Sequence, residues 1–74
     1  RDRMEEFMFL GLRMMEGVSM EKFERYFGKP YMEVYGKVQK KMEDKRFLIN
    51  DNGYVKLTEF GIDLSNYVMS EFLF

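Results

Sequence analysis

The chain has 74 residues, a formal net charge of −1 and no cysteine or histidine, and 46% of its residues are apolar. The missing thiols exclude disulfides and thiolate metal sites, and the missing imidazole removes the commonest general base and nitrogen ligand. A chain of this length forms one domain with a thin core, and its near-neutral charge gives no overall attraction to nucleic acid or anionic lipid.

The first predicted helix covers residues 2–15, and Gly17 suits the position just past a helix end. Gly11 lies inside this helix, where glycine costs about 1 kcal/mol relative to alanine. We therefore expect another backbone to approach the helix closely at Gly11. The helical spacing predicts one core-facing stripe, formed by Met4, Phe7, Met8, Gly11, Met14 and Met15.

Two more predicted helices follow, joined by a short Gly-Lys turn. The second covers residues 19–27, with Ser19 as its N-cap. The third begins at Pro30, because proline is favoured at the first helical position, and it ends near Lys45. The residues expected to face the core are Met20, Phe23 and Phe27 in the second helix and Tyr31, Val34, Tyr35, Val38 and Met42 in the third.

A β-hairpin is predicted next, since two short apolar runs, 47–49 and 54–57, flank an Asn-Gly pair. Asn-Gly favours a hairpin because both central turn positions need a positive φ. A two-residue loop would pair Leu48 with Leu57, and a three-residue loop would shift the register by one. The sequence leaves both registers open.

The last predicted helix has Thr58 as its N-cap and runs to the chain end through Leu64, Val68 and Phe72. Gly61 in its first turn suggests close packing. The order helix, helix, helix, hairpin, helix predicts a mainly α fold of the winged helix-turn-helix type, with three helices, a two-stranded wing and a C-terminal helix.

No pattern in the chain predicts catalysis, a cofactor or a metal. Its serines and threonines have no histidine to activate them. Acidic pairs such as Glu5-Glu6 and Glu43-Asp44 are typical of solvated helix faces rather than of magnesium or calcium sites. Tyrosine and methionine can ligate heme, but here they follow core spacing.

A DNA-binding winged helix is the alternative function, with the third helix as the recognition helix. The basic residues on that helix and in the wing are Lys37, Lys40, Lys41, Lys45, Arg46 and Lys56. Glu33, Glu43 and Asp44 share the helix, however, and Gln39 is the one candidate reader of base edges. The mixed charge disfavours nucleic acid as a partner, because a phosphate-binding surface should be clearly positive.

Several apolar residues fall outside the predicted core stripes. Phe9 points away from the stripe of the first helix, beside Arg13, and Phe60, Tyr67 and Phe74 repeat every seven residues in the last helix. Single exposed apolar residues are normal, but a patch of them marks a partner surface. We expect Phe9, Arg13, Phe60, Tyr67 and Phe74 to contact the rest of a parent protein or a second copy, which leaves self-association open.

The uncharged run 7–12 is too short to span a bilayer or to act as a secretory signal. We therefore expect a cytoplasmic protein without a membrane partner. Because Arg1 leads directly into a helical pattern, residues 1–74 are expected to form a single domain of a larger protein.

Two motifs identify a family that the chain resembles. The opening carries Glu5-Glu6, Leu10-Gly11-Leu12-Arg13 and Glu16-Gly17-Val18, and the ending carries Leu57-Thr58, Gly61, Leu64-Ser65-Asn66, Val68 and Phe72-Leu73. Together they resemble the C-terminal domain of the oxygen-independent coproporphyrinogen III oxidases and their relatives, the radical-SAM heme chaperones. Arg46 stands where this family often has a glycine before the first wing strand, which leaves the sharp helix stop of the family open here.

The resemblance implies a parent with an N-terminal radical-SAM barrel, a [4Fe–4S] cluster held by a CxxxCxxC motif, and S-adenosylmethionine. Such a parent either decarboxylates coproporphyrinogen III oxidatively or carries heme, and we favour the chaperone branch. None of the catalytic or cofactor ligands falls in this chain. The domain would pack on the barrel as its partner and help to cover the substrate cleft. The motif positions assigned to fold support and docking are Glu5, Gly11, Arg13, Gly61, Ser65 and Asn66.

Overall fold

The computed structural model describes residues 2–73, which form five α-helices and three β-strands. In chain order these are α1 (Asp2–Leu12), β1 (Val18–Ser19), α2 (Met20–Phe27), α3 (Tyr31–Asp44), β2 (Leu48–Asp51), β3 (Tyr54–Leu57), α4 (Glu59–Asp63) and α5 (Ser65–Ser70). The predicted mainly α fold, with three helices before a hairpin and helix after it, is confirmed.

The hairpin adopts the first of the two registers left open by the sequence. β2 and β3 are antiparallel with Leu48 opposite Leu57, and the loop consists of Asn52 and Gly53. Both loop residues have a positive φ, 53° and 87°, as a two-residue turn of this kind requires.

The predicted two-stranded wing is present as β2 and β3, and the sheet also contains a third strand that the sequence did not predict. β1 pairs with β3 through Val18 opposite Val55, so that the described sheet has the order β1-β3-β2. A strand of two residues is too short to carry an alternating apolar pattern, and no signal for it was present in the sequence.

The core forms where the first three helices meet the sheet and α5. Phe23 is its aromatic centre, with edge-to-face contacts to Tyr31 and Tyr35 at ring-centroid distances of 5.4 and 6.0 Å. Rings in this geometry stabilise the core beyond the area that they bury. The buried apolar residues are Met8, Leu12, Val18, Phe23, Tyr31, Tyr35, Met42, Leu48, Val55, Val68 and Phe72.

The first helix ends earlier than predicted, at Leu12 instead of residue 15. Met14 and Met15 were expected in the core, but 57% and 97% of their surfaces are exposed. The cause is Val18, which packs against Gly11 so closely that a Cβ on Gly11 would lie 2.5 Å from Val18 Cγ2. The chain must turn back after Leu12 to bring Val18 to this position.

The predicted N-caps of α2 and α4 are confirmed. The Ser19 hydroxyl accepts a hydrogen bond from the Lys22 backbone N–H at 3.1 Å, and Thr58 Oγ1 accepts one from Gly61 at 3.0 Å. Pro30 is instead the N-cap of α3 and not its first helical residue, since its ψ of 140° is extended.

The last helix is broken, which corrects the prediction of one helix to the chain end. Leu64 leaves the helical conformation, with φ −115° and ψ 32°, and separates α4 from α5. Each side is fixed by a different contact: Gly61 packs on the Phe47 carbonyl, and the Phe72 carbonyl accepts a hydrogen bond from the Tyr35 hydroxyl at 3.0 Å. We infer that these two contacts set the directions of α4 and α5.

α3 keeps a sharp stop although Arg46 stands where the family often has glycine. Arg46 has a φ of 65°. Its N–H donates to Glu43 O, and the Phe47 N–H donates to Met42 O. This pair of bonds is the Schellman arrangement, in which the residue past the helix end is left-handed and glycine is preferred.

Replacing Arg46 with glycine should therefore stabilise the domain. A left-handed residue with a side chain costs about 1–2 kcal/mol, and glycine's larger freedom in the unfolded chain offsets part of this. We expect Arg46→Gly to raise the free energy of unfolding by about 0.5–1 kcal/mol in urea titrations. Arg46→Lys, the control, should leave it unchanged, and a glycine variant no more stable than the lysine variant would contradict this explanation.

Gly61→Ala should have the opposite effect, because the added Cβ would collide with the Phe47 carbonyl oxygen. We expect a loss of about 1–3 kcal/mol in unfolding free energy. The matched control is Gly36→Ala in α3, where the nearest atom, in the Met32 side chain, is 3.9 Å away. That variant should gain up to about 1 kcal/mol. Equal effects of the two substitutions would be inconsistent with the close contact at Gly61.

Candidate docking surface

Three of the predicted motif positions, Arg13, Ser65 and Asn66, line one surface groove of about 490 Å³. They come from opposite ends of the chain and are brought together by the fold. We name this surface the α1–α5 groove. Its lining residues are Leu12, Arg13, Met14, Met15, Lys56, Leu57, Ile62, Ser65, Asn66 and Met69.

The groove exists because α1 ends at Leu12. The turn after this residue is held by hydrogen bonds from the Met14 N–H to Gly11 O and from the Gly17 N–H to Met14 O, both 3.1 Å long. It projects Met14 and Met15 outward as one wall. β3, α4 and α5 supply the rest of the lining.

The exposed lining is mostly apolar. Met15 is almost fully exposed, and Met14 and Ile62 are also well exposed. Exposed apolar surface in one groove is typical of a place where another surface packs. Methionine suits such a surface because its unbranched side chain adapts to the shape of a partner.

The groove carries a charge opposite in sign to that of the whole chain. Its described lining contains two cations, Arg13 and Lys56, and no carboxylate, whereas the chain has a net charge of −1. Lys56 donates to Asp51 at 3.2 Å, and Asp51 is not one of the lining residues. Within residues 2–73, the side chains of Arg13, Ser65 and Asn66 make no hydrogen bond or ion pair, so their polar atoms are available to a partner.

The other predicted contact residues lie elsewhere. Phe60 is exposed on α4, Tyr67 on α5 packs edge-to-face on the Phe47 ring at 5.9 Å, and Phe9 is half-buried on α1. Phe74 lies outside the described residues. Of that predicted set, Arg13 alone among the described members lines the groove.

The remaining motif positions are placed within the fold. Gly11 and Gly61 are two points where a side chain would strike a neighbouring segment. Glu5 is half-buried on α1 and raises the pKa of Tyr35 through its charge, as a cause secondary to burial.

Sequence reasoning missed Met14, Met15 and Ile62 as surface residues, since it assigned the two methionines to the core. A usable signal was present in Gly11. Val18 crosses α1 at Gly11, and Met14 and Met15, which follow the end of α1 at Leu12, lie outside the core.

Gln39, the one candidate reader of DNA bases, is buried with 0% exposure, which corrects that assignment. It accepts a hydrogen bond from the Tyr31 hydroxyl at 2.7 Å and donates to Glu43 at 2.8 Å. A side chain fixed in the core cannot reach a groove of DNA. Lys41 on the same helix is paired with Glu71 at 2.9 Å, and this hydrogen bond raises the pKa of Lys41.

The part of the chain that the structure describes contains no group of three or more acidic, cysteine or histidine residues arranged to hold a metal ion. Nor is any described helix long and apolar enough to cross a membrane.

These features define a small helical domain with a three-stranded antiparallel sheet and an open surface groove. A family model of the HemN C-terminal domain matches residues 1–64, and the chain therefore belongs to the HemN C-terminal domain family. The resemblance drawn from the two end motifs is confirmed.

Two relatives carry the name heme chaperone HemW. The protein from Lactococcus lactis subsp. lactis (strain IL1403) is 37% identical over 73 residues, which is 99% of this chain and 19% of the relative. The protein from Bacillus subtilis (strain 168) is 36% identical over 72 residues, 97% of this chain and 19% of the relative. The chain thus spans about a fifth of the length of these relatives. No solved structure matches it.

The two buried tyrosines predict a loss of stability at alkaline pH. Burial raises the pKa of Tyr35 to about 12, and burial raises that of Tyr31 further. An unfolded tyrosine titrates near pH 10, so the unfolded chain loses these protons first. Their stabilising effect is complete below pH 10 and is lost as the pH rises through the folded-state pKa values.

We expect the free energy of unfolding, measured in urea at several pH values, to fall steeply above pH 10. Tyr35→Phe should lower it by about 1–3 kcal/mol at pH 8, because the Phe72 carbonyl loses its donor, but should make the alkaline decline shallower. Exposed Tyr26→Phe is the control and should leave the decline as in the wild type. If Tyr35→Phe leaves the decline of the unfolding free energy above pH 10 unchanged, Tyr35 is not a cause of that decline.

Proposed function

We propose that the chain is the non-catalytic C-terminal accessory domain of a HemN-like radical-SAM protein, and that it docks on the N-terminal barrel of the same protein. The observation that carries the proposal is the α1–α5 groove. Its exposed apolar residues Met14, Met15 and Ile62 lie outside the core, and together with the available polar atoms of three motif positions they suit packing against another domain.

The comparisons support the same proposal. The family match is to a C-terminal domain, and the relatives extend over roughly five times the length of this chain. In a protein of that size, most of the chain is available to form a surface that faces the groove.

The chemistry of the parent is assigned to the remainder of the protein. An iron–sulfur cluster is held by cysteine thiolates, and this chain has none, so its residues do not fit a [4Fe–4S] cluster. The tyrosines at the core do not fit heme ligation either, since the Tyr31 and Tyr35 hydroxyls donate to Gln39 and to the Phe72 carbonyl. The cluster and S-adenosylmethionine therefore belong, in this proposal, to the barrel.

Of the two branches of the family, we propose the heme chaperone. The relatives from Lactococcus lactis and Bacillus subtilis both carry that name, at 37% and 36% identity. The parent would then carry heme and would not decarboxylate coproporphyrinogen III. The compartment included in the proposal is the cytoplasm, where reducing conditions keep the thiolate ligands of a cluster from forming disulfides.

The docking is tested in the longer parent protein, with a protease site inserted directly before the residue equivalent to Arg1. After cleavage, we expect the two pieces to elute together in size-exclusion chromatography, because a packed interface persists without the covalent link. Iron should remain entirely with the N-terminal piece once urea separates the two. Separate elution directly after cleavage would contradict docking, and iron bound to the 74-residue piece would contradict its non-catalytic role.

A further inference from the structure

The α1–α5 groove has a chemistry that specifies its occupant. We infer that it binds an acidic, apolar segment of the parent protein lying outside residues 1–74, with a carboxylate of that segment facing Arg13. This inference rests on the proposed function, because it names the partner surface for the proposed docking on the barrel.

The positive charge of the groove favours an acidic occupant. Arg13 and Lys56 are the charged residues of the described lining. An apolar partner without charge would leave the Arg13 guanidinium desolvated and unpaired, which is unfavourable. A carboxylate compensates that cost, and the planar guanidinium is well shaped to bind one through two hydrogen bonds.

The polar side chains of the groove differ in whether they already have a partner within the domain. Of the two cations in the described lining, Lys56 already pairs with Asp51 at 3.2 Å. Arg13 has no such partner within residues 2–73, and the same holds for the amide of Asn66 across the groove. Asn66 can both donate and accept, and it therefore suits the backbone of an irregular or extended segment.

The apolar wall formed by the turn after α1 also restricts the occupant. Met15 is 97% exposed in a turn fixed by hydrogen bonds at Gly11 and Met14, so its position does not depend on a partner. Because the backbone of the turn is already fixed, binding has to order only the side chain, and an unbranched methionine adapts to the shape of its partner. The occupant therefore needs apolar side chains beside its carboxylate.

A second copy of this chain fits less well. Its groove would present the same Arg13, and two copies related by a two-fold axis would bring like charges together if the grooves faced each other. A segment of the remaining four-fifths of the parent has no such restriction.

The test uses the cleavable parent protein and compares Arg13→Glu with Arg25→Glu. Both variants reverse an exposed arginine, but Arg25 lies on α2, outside the groove lining. We expect Arg13→Glu to raise the dissociation constant of the two cleaved pieces at least tenfold, and Arg25→Glu to change it less than twofold. In the wild type, the dissociation constant should rise between 50 and 500 mM salt, since exposed ion pairs are screened.

Met15→Ser removes apolar surface without changing charge and should also weaken binding several-fold. Its near-complete exposure means that the fold should tolerate it, which the thermal midpoint of the variant checks. Amide hydrogen exchange in the uncleaved parent should show protection of residues 12–16 and 62–69 relative to the 74-residue chain.

Each of the following results would overturn a different part of the proposal. Pieces that bind equally well with Arg13→Glu overturn the acidic occupant, although docking itself stands. Protection on the outer face of α3 with an exposed groove overturns the groove as the interface. A wild-type domain that dimerises, and whose dimer Arg13→Glu abolishes, identifies a second copy as the occupant. Pieces that never associate refute the proposed function itself.

Discussion

The contact between Val18 and Gly11 determines most of the architecture of this domain. A Cβ at Gly11 would lie 2.5 Å from Val18 Cγ2, so only glycine allows Val18 to reach this place. With Val18 there, β1 pairs with β3, α1 has to end at Leu12, and the intervening turn exposes Met14 and Met15. One close approach thus completes the sheet, seals the core against α1 and builds a wall of the groove.

The second organising feature is the polar network inside α3. The Tyr31 hydroxyl, the Gln39 amide and the Glu43 carboxylate form a hydrogen-bonded chain along the helix, from the buried core to the surface. Every buried polar side-chain atom of the described residues has a hydrogen-bond partner. The network ties α3 into the core of the domain. Gln39, which had been considered as a reader of DNA bases, therefore faces inward.

Sequence patterns predicted the elements of the fold where apolar residues recur at helical spacing. The stripe of α3 and the Asn-Gly hairpin were predicted correctly, because periodicity and turn chemistry are local properties. Three features were not predictable in this way. β1 is too short to show a pattern, the break at Leu64 depends on contacts of Gly61 and Phe72 with distant segments, and Gln39 is buried because Tyr31 and Glu43 satisfy it. The groove was predicted in part. Arg13, Ser65 and Asn66 were named as motif positions, but Met14 and Met15, which form the apolar wall, were assigned to the core.

The fold places an apolar groove with a cationic Arg13 on the outside, and we propose that the rest of a longer parent protein covers it. The most direct measurement is an experimental structure of the longer parent protein. We expect Met15, 97% exposed in the separate domain, to be buried against the N-terminal part, with a carboxylate within about 4 Å of the Arg13 guanidinium. A structure in which Met15 and Arg13 face solvent, while another face of the domain contacts the barrel, would contradict it.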